Sequence, residues 1–291
     1  MTRPTRGLLR TLTLALLVLL IGGCSGMRLA YNTADFFIER YADDYLGLDS
    51  AQMQRWSPTL DAALARHRQE ELPYLAAFFD SAQNDARKGF TRADAACLLD
   101  QFEVIYRRHF TLAAATAAPL LAELDRPQID TLERTFREEA REDAADAAAP
   151  EAQRVAKRVK RYEKNMQWWI GDLSEGQRGV VRDVVSGLPD SAGWYRYRDR
   201  KRRELIALLR AGASSAKIER FLNGWLVDYS DMPADLRRSR QDLRSGITEL
   251  LVRLDDSLTE TQRRQFIDRL TGLRQDFMRL QHNPRMAPVG C

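Results

Sequence analysis

The stretch VAKRVKRYEKNMQWW, residues 155–169, decides the fold. Val155, Val159, Tyr162, Met166 and Trp169 step by fours and threes, which places them on one stripe of a 3.6-residue helix. The same spacing recurs in Leu243, Ile247, Leu250 and Leu254, in Phe266, Leu270, Leu273, Phe277 and Leu280, and in Leu98, Phe102, Ile105, His109 and Leu112. Such stripes bury against neighbouring helices, so the sequence predicts an all-α fold, a multi-helix bundle in which these positions face inward. Pro58, Pro73, Pro119, Pro127, Pro150, Pro189 and Pro233 start or kink the helices.

A pentad recurs at helix starts: Leu48-Asp-Ser-Ala-Gln52, Leu124-Asp-Arg-Pro-Gln128, Leu173-Ser-Glu-Gly-Gln177 and Leu258-Thr-Glu-Thr-Gln262. Asp, Ser or Thr in second place can accept a free first-turn amide. The Gln three residues on can reach back to the cap, forming a capping box. The surroundings of the pentads correspond as well: Leu48 maps to Leu173, Glu71-Leu72 with Leu75 to Glu204-Leu205 with Leu208, and Leu120-Leu121 with Leu124 to Leu250-Leu251 with Leu254. Two tandem helical units are the expectation, at 48–172 and 173–291, with chance likeness between amphipathic stretches as the other reading.

The chain has 291 residues, 44% of them apolar and 30% charged, a globular composition. Three of its 45 basic residues, Arg3, Arg6 and Arg10, lie in residues 1–23, which hold no acid. Without them 42 bases face 41 acids, so no sustained cationic excess argues for nucleic acid as a partner.

After the cationic start comes an apolar run, Thr11 to Ile21, about half of the ~20 residues a membrane span needs. Residues 1–23 therefore read as an export signal. Ile21-Gly22-Gly23-Cys24 resembles the lipobox of bacterial lipoproteins, which implies a diacylglyceryl thioether on Cys24 and acylation of its new amino group. Ser25 stands where enterobacterial lipoproteins retained at the inner membrane carry aspartate, so the resemblance implies the outer membrane, facing the periplasm. Residues 24–47 read as anchor plus an N-terminal amphipathic helix, beginning with Tyr31, Phe37, Ile38, Tyr41 and Tyr45. Cys97 and Cys291 are the remaining cysteines; an oxidising periplasm would let them pair, and a small buried apolar role for Cys97 is the alternative.

Little points to catalysis. Serine-nucleophile motifs, Gly-rich phosphate loops and Cys-x-x-Cys pairs are missing, and there are three histidines, His67, His109 and His282. His67 with Glu71 has the i, i+4 spacing of two metal ligands but no second cluster, so core histidines without metal or cofactor are expected. Glu138, Glu139, Glu142, Asp143 and Asp146 form an acidic run, and Arg154, Lys157, Arg158, Lys160, Arg161 and Lys164 follow it. Opposite charges meeting across a hairpin, or a solvated face, account for both.

The most unusual composition is Trp194, Tyr195, Arg196, Tyr197, Arg198, Asp199, Arg200, Lys201, Arg202, Arg203. Aromatic rings beside cations suit an anionic lipid or lipopolysaccharide surface, or an anionic client; buried rings with solvated cations are the plainer alternative.

Leu258-Thr259-x-x-Gln262-Arg263 and Leu173-Ser174-x-x-Gln177-Arg178 resemble the Leu-Thr-x-x-Gln signature of the Spy/CpxP family of helical periplasmic chaperones. Taken whole, from lipobox to Cys291, the chain resembles a group of uncharacterised helical proteobacterial lipoproteins. Together these readings predict a non-catalytic, outer-membrane-anchored binding protein, chaperone-like or scaffolding, acting on envelope proteins. Binding of anionic lipid through residues 194–203 is the second expectation and an enzyme around His67 or His109 the third.

Overall fold

The computed structural model describes residues 25–290, and among them every regular element is helical. In chain order these are α1 (Ser25–Asn32), α2 (Ala34–Leu46), α3 (Ser50–Arg66), a π turn (His67–Glu71), α4 (Leu72–Lys88), α5 (Arg92–Ala122), α6 (Arg126–Ala148), α7 (Glu151–Ile170), α8 (Glu175–Ser186), α9 (Ala192–Arg210), α10 (Ser215–Leu226), α11 (Ala234–Asp256) and α12 (Glu260–Leu280). The all-α bundle read from the stripes is the observed fold.

All four pentads start helices as expected. Asp49, Asp125, Ser174 and Thr259 each accept the amide of the Gln three residues on, and each Gln side chain accepts the amide of its cap residue. The pentads also meet in pairs. Gln52 and Gln128 donate their Nε2 groups to each other's Oε1, at 2.9 and 2.6 Å, and to the carbonyls of Glu123 and Gly47. Gln177 and Gln262 repeat the arrangement at 2.8 and 3.0 Å, reaching Ser257 O and Asp172 O. In every copy the carbonyl reached belongs to the residue just before the partner pentad's leading leucine. Helix starts far apart in sequence are thereby joined through groups that otherwise lack partners.

Each pair joins two pentads of one expected unit, Gln52 with Gln128 within 48–172 and Gln177 with Gln262 within 173–291, giving two similar halves. α2 packs on α3 and α6, and α7 packs on α8 and α12 in the same way. The α7 stripe joins Leu173, Val181, Val185 and Leu250 in one apolar cluster. The halves are also interlocked: α4 of the first lies along α12 of the second, and α9 of the second along α6 of the first. Fully buried Leu72 anchors the α4–α12 seam, Val181 and Leu250 the cluster of α7, α8 and α11, and Ile218 the core under α10, each contributing roughly 1.5–3 kcal/mol of burial.

One element breaks the correspondence. Residues Gly89–Thr91 suffice to join α4 to α5, whereas the matching link from α9 to α11 contains α10, which packs on α5. The chain leaving α10 passes through Tyr229 at φ +50°, a left-handed conformation that a bulky non-glycine residue adopts only under constraint.

Candidate functional site

The basic-aromatic segment 194–203 forms the first half of α9, and its charges are nearly all paired. α9 runs antiparallel to α6, which brings the two unusual charge runs together. Arg198 pairs with Asp143, Arg202 with Glu139, and Arg210 with Asp130 and Glu133. On its other side buried Lys201 lies 2.8 Å from both Glu204 and Asp231, Arg200 is shared by the same two acids, and Arg203 pairs with Asp199. Burial alone would raise the Asp231 carboxyl, but hydrogen bonds from Lys201 and Arg200 outweigh it and hold the group below its ordinary value. Tyr197 is buried and donates to Asp231, while Trp194 is half-buried. Arg196 is the segment's one exposed cation with no ion pair among the described residues. The acids of α6 thus serve α9 more than α7, where Lys157 with Asp146 is the pair that bridges the hairpin.

The rings of that segment lead to a different surface. Trp194 packs edge-on against Tyr229, and Tyr229 forms one end of a groove between α5 and α11. The groove holds about 530 Å³ and is lined by Leu99, Phe102, Tyr106, Tyr229, Arg240 and Leu243, among others. The Arg240 guanidinium sits 4.3 Å above the Tyr229 ring, a cation–π contact that fixes both. The Tyr106 phenol is pushed above its ordinary pKa by burial and by its hydrogen bond to Tyr229, so it stays a neutral donor. Phe102 is 55% exposed, and Leu243 stands out with it. These two seam positions, Phe102 and Leu243, were expected to face inward. They lie at the edges of the α5–α11 contact, where no third helix among the described residues covers them. Rigid aromatic rings, arginine and open apolar surface are the composition of a protein-binding patch.

A second cluster surrounds His67. The π turn His67–Glu71 precedes Pro73, which has no N–H to offer the Gln69 carbonyl; Arg285 donates to that carbonyl instead, at 3.3 Å. The turn separates His67 from Glu71, so the i, i+4 pair does not act as one. Glu71 is buried and takes a bidentate pair from Arg108 at 2.7 and 2.9 Å. His67 Nδ1 lies 2.8 Å from Tyr31 Oη, and its ring meets His109 edge-on at 4.7 Å. Burial, then His109 and Arg68, bring its pKa down to about 4. Burial likewise pushes Tyr31 up to about 12. His109 Nδ1 is 2.7 Å from the Ile105 carbonyl, and His282 is exposed. Among the described residues no three His, Cys, Asp or Glu side chains gather as metal ligands.

Cys24 and Cys291 lie outside the described residues. Cys97, half-buried on α5, is disulfide-bonded. No helix among the described residues is long and apolar enough to cross a membrane.

The geometry defines a class: an all-helical bundle of two interlocked halves, tied by paired capping glutamines and open along an aromatic groove. The chain belongs to the DUF6279 family, a family of unknown function, whose model matches residues 44–230. That span takes in Phe102, Tyr106 and Tyr229 and ends before α11. No curated protein and no solved structure matches the chain.

Proposed function

We propose that this protein is a lipoprotein held by Cys24 at the outer membrane, facing the periplasm, where it binds other envelope proteins in a chaperone-like or scaffolding role without catalysing a reaction. The observation that carries this reading is the groove between α5 and α11, where Phe102 and Leu243 are exposed beside the constrained Tyr229. A non-glycine residue held at positive φ marks a surface whose shape is fixed before a partner arrives, which lowers the ordering cost of binding. The lipobox-like Ile21-Gly22-Gly23-Cys24 supports the anchor, and the pentads' likeness to Spy/CpxP supports the chaperone form. Residues 194–203 are a poorer site for anionic lipid, because α6 and Asp231 already neutralise most of their cations.

Light scattering by a chemically denatured outer-membrane protein, with and without this protein, tests the reading. The wild type should suppress aggregation, and Phe102→Asp or Leu243→Asp should lose that effect while retaining the helical circular-dichroism spectrum. No suppression by the wild type removes the chaperone form. Suppression indifferent to both substitutions removes the groove as its site.

A further inference from the structure

Helices α1 and α2 pack inward through Tyr31, Ala42, Tyr45 and buried Leu46, and leave a set of large apolar side chains exposed outside. Their inner face is also docked by polar groups: Tyr31 on His67, Arg28 with Asp276 at 3.4 Å, Asn32 accepting from Arg68 at 3.0 Å, and Tyr45 donating to Glu139. On the outer face Leu29, Phe36, Phe37 and Tyr41 are 59, 60, 61 and 64% exposed, with Met27 and Ile38 beside them. Water is a poor neighbour for this much clustered apolar surface, and contiguous patches of the kind mark contact with another phase or molecule.

The chain itself indicates which. The stripe begins a few residues after the apolar run Thr11 to Ile21 and after Cys24, so it continues in sequence the part of the protein read as membrane-directed. Its Phe-Phe-Tyr content, interleaved with the exposed Arg40–Asp44 ion pair, is that of helices lying at the level of lipid headgroups, where aromatic rings settle and long charged side chains reach back to water.

We propose that α1 and α2 lie in the interfacial layer of a glycerophospholipid bilayer, with Leu29, Phe36, Phe37 and Tyr41 immersed, so that the helix and the acylated cysteine together fix the orientation of the body. The proposal rests on the membrane attachment proposed above. The test reconstitutes the full lipidated chain in phosphatidylethanolamine–phosphatidylglycerol vesicles whose acyl chains carry a carbene-generating photoprobe. Mass spectrometry maps the labelled residues, and the mass of the N-terminal peptide reports the state of Cys24. Label should fall on Leu29, Phe36, Phe37 and Tyr41 and spare Phe102 and Leu243. Replacing Phe36, Phe37 and Tyr41 by Ser should abolish it at those positions without releasing the protein. An acylated Cys24 with unlabelled α1 and α2 overturns the inference and leaves the anchor standing. A bare Cys24 with a labelled stripe upholds the inference and removes the anchor, and a bare Cys24 with no label removes both.

Discussion

Gln52 and Gln128 each close the capping box of their own helix and each donate into the other's: Gln52 Nε2 to Gln128 Oε1 at 2.9 Å, Gln128 Nε2 to Gln52 Oε1 at 2.6 Å. Both are buried, and each side-chain amide also satisfies a carbonyl at its partner's helix start. Truncating one therefore orphans groups at two helix ends. Gln128→Ala should cost roughly 1–2 kcal/mol by urea unfolding, because the buried Gln52 amide loses one partner on each of its polar atoms while the Gly47 carbonyl and the Asp125 amide lose theirs. The double variant Gln52→Ala with Gln128→Ala should cost less than the sum of the singles. Strict additivity would show that the pair is not coupled.

Acid should destabilise the protein through His67. Its folded pKa is about 4 against an ordinary 6.5, so between those values the unfolded chain binds a proton that the folded one refuses. Stability from this group is full above pH 6.5, falls as pH drops towards 4 and is flat below, a change on the order of 2–3 kcal/mol. The groups facing the imidazole are Tyr31 from α1, His109 from α5 and Arg68 beside it, none of which supplies a negative charge near neutral pH. Denaturant unfolding across pH 4–7 should show a steeper slope for wild type than for His67→Gln. Equal slopes would contradict the assignment.

Gly246 in α11 and Gly179 in α8 should respond oppositely to alanine. A Cβ on Gly246 would overlap Leu188 Cδ2, inside a packed cluster, whereas one on Gly179 meets nothing within 4 Å. Gly179→Ala should stabilise by roughly 0.5–1 kcal/mol through helix propensity. Gly246→Ala should destabilise by roughly 1 kcal/mol, since Leu188 must leave its rotamer. Thermal unfolding of both variants checks the two signs.

The contrast between α7 and α5 shows how much the sequence revealed. The helices and their caps are local properties, and the α7 stripe packs as its spacing predicts. Pairing is not local. The capping boxes were legible in each pentad, but nothing in a pentad says that its glutamine also donates to another helix 76 or 85 residues away. Phe102 and Leu243 show the same difficulty from the other side: period 3.6 marks an apolar face without saying whether a third helix covers it. The cations of 194–203 looked like a surface because their partners, Glu139, Asp143 and Asp231, lie in other helices. An acidic run and a basic run of similar length were the one signal that could have joined α6 to α9.

Cys97 is disulfide-bonded, and the thiol of Cys24 cannot serve as its partner if it carries a thioether. Peptide mapping without reductant should return Cys97 linked to Cys291. A peptide linking Cys97 to Cys24 would contradict both the pairing and the anchor.

The anchor is the claim on which location, partners and orientation depend, and intact-mass analysis of the protein extracted from bacterial envelopes tests it most directly. The account predicts a chain beginning at Cys24 whose excess mass corresponds to a diacylglyceryl group and an amide-linked acyl chain. A chain that begins elsewhere, or a Cys24 with no added mass, would contradict it.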